Sequence, residues 1–205
     1  AFICAATAHA VGISGDISAS ALTGERLDTA GELVSTTPVY QTLRLKAGNL
    51  GDERLSFEGA YRVWFDAATD ATDESDFRVY RAFLRWHDRD AHLDVKTGRQ
   101  FVIQGVGRGY VDGVLAEKGI GSKQTVSLFG GQPLRGVGME TTPFANSEDL
   151  QWGARYRIRR LGAMSIGLSY AETQLDGETG SRLVGLDAVY RISDRQTVNL
   201  RSDFD

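Results

Sequence analysis

"LQWGARYRIR", residues 150–159, decides how the rest of the chain is read. Leu150, Trp152, Ala154, Tyr156 and Ile158 alternate with Gln151, Gly153, Arg155, Arg157 and Arg159. Side chains of a strand point to opposite faces in turn, so strict alternation predicts a strand with one apolar and one basic face. In a soluble sandwich the apolar face fills a core and the arginines meet bulk water. In a membrane barrel the apolar face meets lipid and the arginines line a wet lumen.

The same grammar recurs along the chain. Apolar and polar residues alternate over stretches beginning near Ile13, Val39, Leu55, Val79, Ala91, Thr125, Met164, Val184 and Thr197, with a weaker stretch from Tyr110 to Lys118. This predicts about eleven strands of roughly ten residues, the length a tilted strand needs to cross a bilayer. Between them, segments 23–38, 66–76, 99–109, 131–148 and 174–181 read as long connections. Segments 48–53, 87–90, 119–123, 160–162 and 193–196 read as short ones. Long and short alternate, as expected of a barrel with short periplasmic turns and long outer loops.

Composition excludes several classes. The formal net charge of -4 makes no global case for nucleic acid. No apolar run reaches eighteen residues, so no transmembrane helix is expected. Residues 1–10, "AFICAATAHA", end in Ala8-His9-Ala10, which fits the cleavage pattern of a secretory signal peptide. They are read as its remnant, with a partial barrel over 11–205. The one cysteine, Cys4, falls in the remnant, so no disulfide framework is expected.

On this reading Arg44, Lys46, Arg62, Arg81, Arg85, Lys96, Arg155, Arg157, Asp187 and Arg191 line the pore. Its basic excess predicts mild anion preference, with Arg81, Arg85, Arg155 and Arg157 as main contributors. Ser169 likewise falls on the watery face, and Leu168 on the lipid face. Phe65, Tyr80, Trp152 and Tyr170 form an outer aromatic girdle, and Phe57, Trp86 and Tyr190 a periplasmic one. Strict alternation points Arg99 towards lipid, whereas a bulge at Gly98 turns it into the pore; both readings stand.

"FRVYRAFLRW", then "LDVKTGRQF", then "GYVDGV" resembles a hairpin and strand of porin-like families from Gram-negative outer membranes. There a Gly-Arg-Gln closes one strand and an Asp-Gly opens the next, here Gly98, Arg99, Gln100, Asp112 and Gly113. The resemblance implies an all-β, antiparallel, up-and-down transmembrane β-barrel. The chain ends "RSDFD" rather than in the aromatic residue usual for such barrels, so an incomplete, N-terminal part is expected. The implied function is passive diffusion of small polar or anionic solutes across the outer membrane. The implied partners are outer-membrane lipid, lipopolysaccharide and small solutes, with no nucleic acid and with homo-oligomers open. A receptor or export barrel is the alternative, and a soluble secreted β-protein a third reading.

Other motifs carry less. "GVGRG", residues 105–109, precedes a strand-like stretch rather than a helix, so it reads as a loop and not a dinucleotide fingerprint. The acidic run 66–76 lacks the spacing of a calcium loop and reads as a solvated outer loop. His87 and His92 flank "HDRDAH" in no standard metal pattern, so a polar turn is expected, with no metal and no cofactor. With His9 in the remnant and these two at a periplasmic turn, no histidine remains for an outer-rim catalytic site, and the chain is read as non-enzymatic.

Overall fold

In the computed structural model the described residues are 11–27, 31–68, 75–134, 148–194 and 196–205. The signal-peptide reading of 1–10 falls outside them. The strands are β1 (Gly12–Ala21), β2 (Gly24–Leu27), β3 (Leu33–Thr36), β4 (Pro38–Gly48), β5 (Leu55–Asp66), β6 (Ser75–Asp88) and β7 (Leu93–Gln104). They continue with β8 (Gly107–Ile120), β9 (Gln124–Pro133), β10 (Leu150–Leu161), β11 (Met164–Leu175), β12 (Glu178–Ser193) and β13 (Gln196–Phe204). Among the described residues there is no helix, hence none long and apolar enough to cross a membrane.

Eleven strands form one antiparallel up-and-down sheet in the order β1-β4-β5-β6-β7-β8-β9-β10-β11-β12-β13, and β2 and β3 form a separate hairpin. Among the described residues β1 and β13 do not pair with each other and are the edge strands of this sheet. Sequence neighbours pair because short turns return the chain beside the strand just made. Two compact units divide the chain, one up to Ala82 and one from Phe83.

In the first unit the register sets Tyr40 opposite Trp64, Arg44 opposite Ala60 and Lys46 opposite Glu58. Directly opposed residues share a face. Leu43, Val63, Phe65 and Phe77 are exposed apolar residues, and Phe77 stacks on Tyr61 with centroids 6.1 Å apart. Asp66 fixes the end of β5, its Oδ1 accepting from the amides of Thr37 at 2.8 Å and Ala68 at 3.0 Å.

In the second unit the register corrects two readings. Segment 99–109 is not a long loop: β7 and β8 pair through to Gln104 and Gly107, leaving only Gly105 and Val106 as the turn. Segment 174–181 is also a hairpin, closed by Asp176 and Gly177 at φ 51° and 77°. Two consecutive positive φ values suit a tight hairpin turn. The long–short alternation therefore does not hold throughout.

The turn at 105–106 is no free loop either. It lies on the face of β10–β12 that carries Arg155, Ser169 and Gly185. The Val106 amide donates to Ser169 Oγ at 3.1 Å, and that hydroxyl donates on to the Gly185 carbonyl at 3.3 Å. Gly105 sits at φ +64°, and a Cβ there would overlap Ser169. A Cβ at Gly185 would run into Val106. Two absent side chains thus make room for the tip. Beneath it Val102, Val106, Val111, Leu115, Phe129 and Ala171 form a small buried cluster with Leu183 packed against it. Burial of each large apolar member contributes about 1.5–3 kcal/mol, which holds the hairpin down.

Ser169 is therefore not a water-facing residue; it is 3% exposed, while Leu168 beside it is 53% exposed. Ser169→Ala strips the Val106 amide of its acceptor and should cost about 1–3 kcal/mol. The check is amide hydrogen exchange, in which protection of Val106 falls; unchanged protection would count against the contact. Ser169→Arg drives a charge into the tip and should cost more than Ser169→Ala.

Candidate functional site: a charged face of paired and unpaired arginines

On β1, β4 and β5 the polar face carries Asp16, Arg44, Lys46 and Glu58. Arg44 meets Asp16 at 3.3 Å and Lys46 meets Glu58 at 3.2 Å. Arg81 lines the same cleft, which has a volume of about 360 Å³, with no carboxylate within ion-pair distance among the described residues. Further along β5, the Arg62 guanidinium lies 4.5 Å from the Tyr40 ring centre and donates to Tyr80 Oη at 3.5 Å.

That last contact corrects the aromatic assignment. Tyr80 stands on the face of Arg62, not on the apolar face. Phe77 keeps to the apolar side, stacked on Tyr61, while Tyr80 and Arg81 both reach the charged side. Two sequence neighbours on one face mean that alternation slips by one residue in β6, as at a β-bulge. Of the other aromatics assigned to girdles, Phe65, Trp152 and Tyr190 are exposed, and Phe57, Trp86 and Tyr170 are half-buried. Trp152 and Tyr170 lie with ring centroids 5.2 Å apart. The Tyr170 hydroxyl donates to Glu172 at 2.7 Å, and Glu172 also accepts from Gln174 and Arg182.

In the second unit Arg85 pairs with Asp94, which also lies 3.2 Å from His87 Nδ1. The Lys96 ammonium sits 5.7 Å from the Phe83 ring centre. Arg155 Nη2 reaches both oxygens of Asp187, at 2.8 and 2.7 Å. Arg157 shares the Arg155 face, and its buried Nε has no hydrogen-bond partner. Arg191 is exposed and makes no ion pair with a described residue. The turn between β6 and β7 is polar, with the Ala91 amide donating to Asp88 at 2.8 Å. Among the described residues no three metal-binding side chains gather.

Arg99 takes neither place in its simple form. Phe101 and Ile103, two and four residues on, are exposed, whereas Arg99 is 4% exposed. Gly98 stands at φ +121°, an irregularity at the position where a bulge would turn Arg99, yet the ladder stays in register with Arg99 opposite Asp112. Two parallel bonds of 2.8 Å join the guanidinium to both Asp112 oxygens. A fork-to-fork pair of this kind fixes orientation as well as charge.

Charge counting from sequence treats every arginine alike; the geometry sorts them. Arg44, Lys46, Arg85 and Arg155 each have a carboxylate, so their fields are largely cancelled at a distance. Arg81, Arg157 and Arg191 keep theirs, and Arg62 is faced by tyrosine rather than carboxylate. Sequence reasoning missed the role of Tyr40 and Trp64, although both stand on the polar side of their alternations. Such an arrangement leaves the positive potential of the face at a few separated points.

No protein-family model and no curated protein matches the chain.

Asp112→Ala strips the Arg99 fork of its carboxylate in a closed site and should cost about 3–5 kcal/mol, read from urea unfolding. Asp16→Ala breaks an open pair and should leave the midpoint nearly unmoved. Equal costs would refute this ranking.

Proposed function

We propose that the chain forms part of the wall of a porin-like β-barrel in the outer membrane of a Gram-negative bacterium. It passes small polar or anionic solutes by diffusion. The observation that carries this reading is the apolar face of the second unit. Tyr156, Leu168 and Leu186 stand opposite one another across β10, β11 and β12 and are all exposed. Val114, Leu128, Val184 and Leu200 extend the band. An apolar surface of this extent needs a cover, and lipid is the cover that also explains charged side chains on the opposite face.

The open edges support the same reading. Every described residue of β1 and β13 is exposed, and the backbone groups along each outer edge lack a strand partner. A long free edge is a ready template for pairing with another strand. Further strands, or a second copy, would complete the barrel. The β7–β8 tip would then lie on the lumen side and narrow the path beside Arg155 and Asp187. Outer-membrane lipid and lipopolysaccharide would surround the wall, and homo-oligomers remain compatible with it.

Selectivity tests the proposal. In a planar bilayer under a salt gradient, the full-length protein should show a mildly anion-selective reversal potential. Arg81→Glu and Arg157→Glu should move it towards cations more than Arg44→Glu does. Asp187→Asn frees Arg155 and should move it towards anions. A cation-selective wild type, or no conductance, would reject the reading.

A further inference from the structure

The charged side of β4, β5 and β6 holds a cleft unlike the ion-pair ladder beside it. Its volume is about 330 Å³, and it is lined by Tyr40, Arg62, Trp64, Asp76, Arg78 and Tyr80. Three aromatic rings and two guanidinium groups meet one carboxylate. Asp76 is engaged by Arg78, Nε to Oδ2 at 2.5 Å. Among the described residues Arg62 makes no ion pair. Its guanidinium lies 4.5 Å from the Tyr40 ring centre, its bond to Tyr80 Oη is long at 3.5 Å, and its buried Nε has no hydrogen-bond partner among the described residues. A guanidinium carries five N–H donors in a fixed fork, so most of this one's capacity is unspent. The terminal Nη groups, half-exposed at the cleft and spent on one long bond only, can meet a ligand oxyanion.

The apolar half of the cleft is equally specific. Trp64 stands opposite Tyr40 in the ladder, with ring centroids 6.5 Å apart and planes inclined by 39°. The two rings are tilted, not stacked, and both line the cleft beside Arg62. Aromatic faces of this kind take another ring more readily than an alkyl chain or a bare ion.

We infer that this cleft is a binding site for a small organic acid whose carboxylate sits on a six-membered ring. The carboxylate meets the free edge of Arg62, and the ring lies against Trp64. Arg78, neutralised by Asp76, contributes hydrogen bonds rather than net charge. One uncancelled guanidinium matches a monoanion, and a dianion would leave one charge unmet. The inference rests on the cleft alone and stands whether or not the chain crosses a membrane.

The test is calorimetric titration of the folded full chain in detergent, with sodium benzoate and sodium glucuronate as probes. Sodium acetate and glucose are the controls. At least one probe should bind saturably at one site per chain, and both controls should bind at least about tenfold more weakly. Benzoate alone would assign a flat aromatic acid; glucuronate, alone or with benzoate, would assign a hydroxylated ring acid. Arg62→Gln and Trp64→Leu should each weaken the bound probe by about tenfold or more. Arg81→Gln, outside the cleft, should leave it unchanged. If Arg62→Gln fails to fold, Arg62→Lys decides, because it keeps the charge and loses the fork; it should also weaken binding about tenfold. The inference is overturned if neither probe binds, if acetate or glucose binds equally well, or if Arg62 variants lose no more affinity than Arg81→Gln.

Discussion

The amide of Val106 donating to the hydroxyl of Ser169 joins a hairpin tip to strands more than sixty residues away in sequence. A single-layer sheet has no interior, so its buried residues need something laid across a face. Here the tip of β7–β8 is laid across β10–β12, and the cluster from Val102 to Ala171 exists because of it. The contact depends on Gly105 and Gly185 lacking Cβ atoms and on one small hydroxyl between them. Gln104, near the tip, donates to Glu117 at 3.2 Å, and Ser127 donates to the same oxygen. Polar groups close to the fold-over are thereby satisfied, which keeps a partly buried hairpin from carrying orphaned donors.

The same packing orders the electrostatics. Asp187 holds Arg155 beside the tip, leaving Arg157 as the adjacent uncancelled charge. On the first unit, Asp16 and Glu58 hold Arg44 and Lys46 and leave Arg81. In each unit, then, a cation without an ion pair among the described residues stands beside paired ones. Pairing holds long side chains against the sheet, while the unpaired charges set the sign of the local field. A face that looks uniformly basic in sequence is in structure mostly neutral, with positive points.

Much of the architecture was legible. Period-two alternation located the eleven sheet strands and their antiparallel order, because it reports directly on which side chains share a face. What failed has identifiable causes. Glycine-rich "GVGRG" reads as a loop, but here one glycine serves the turn and the other two lie in β8. Asp176-Gly177 is itself a strong hairpin signal, obscured by the polar residues around it. Tyr80 was misplaced because alternation assumes no slip, and an aromatic gives no warning of a bulge. Ser169 was misplaced because alternation names a face and not what covers it. Arg62 was legible as polar-side, but its partnership with Tyr40 and Trp64 depends on register across three strands.

The central claim is that the two faces of the sheet meet different solvents, lipid on one and water on the other. Nitroxide labels test it most directly. With Cys4 replaced by serine, single cysteines in the second unit, at Leu128, Leu168 and Leu186 on one face and at Arg157 and Arg191 on the other, carry the label in full-length protein reconstituted into vesicles. The account predicts that the leucine positions relax faster with oxygen, which concentrates in lipid. The arginine positions should relax faster with a water-soluble nickel chelate. Equal access of the nickel chelate to both sets would place both faces in water and contradict the account.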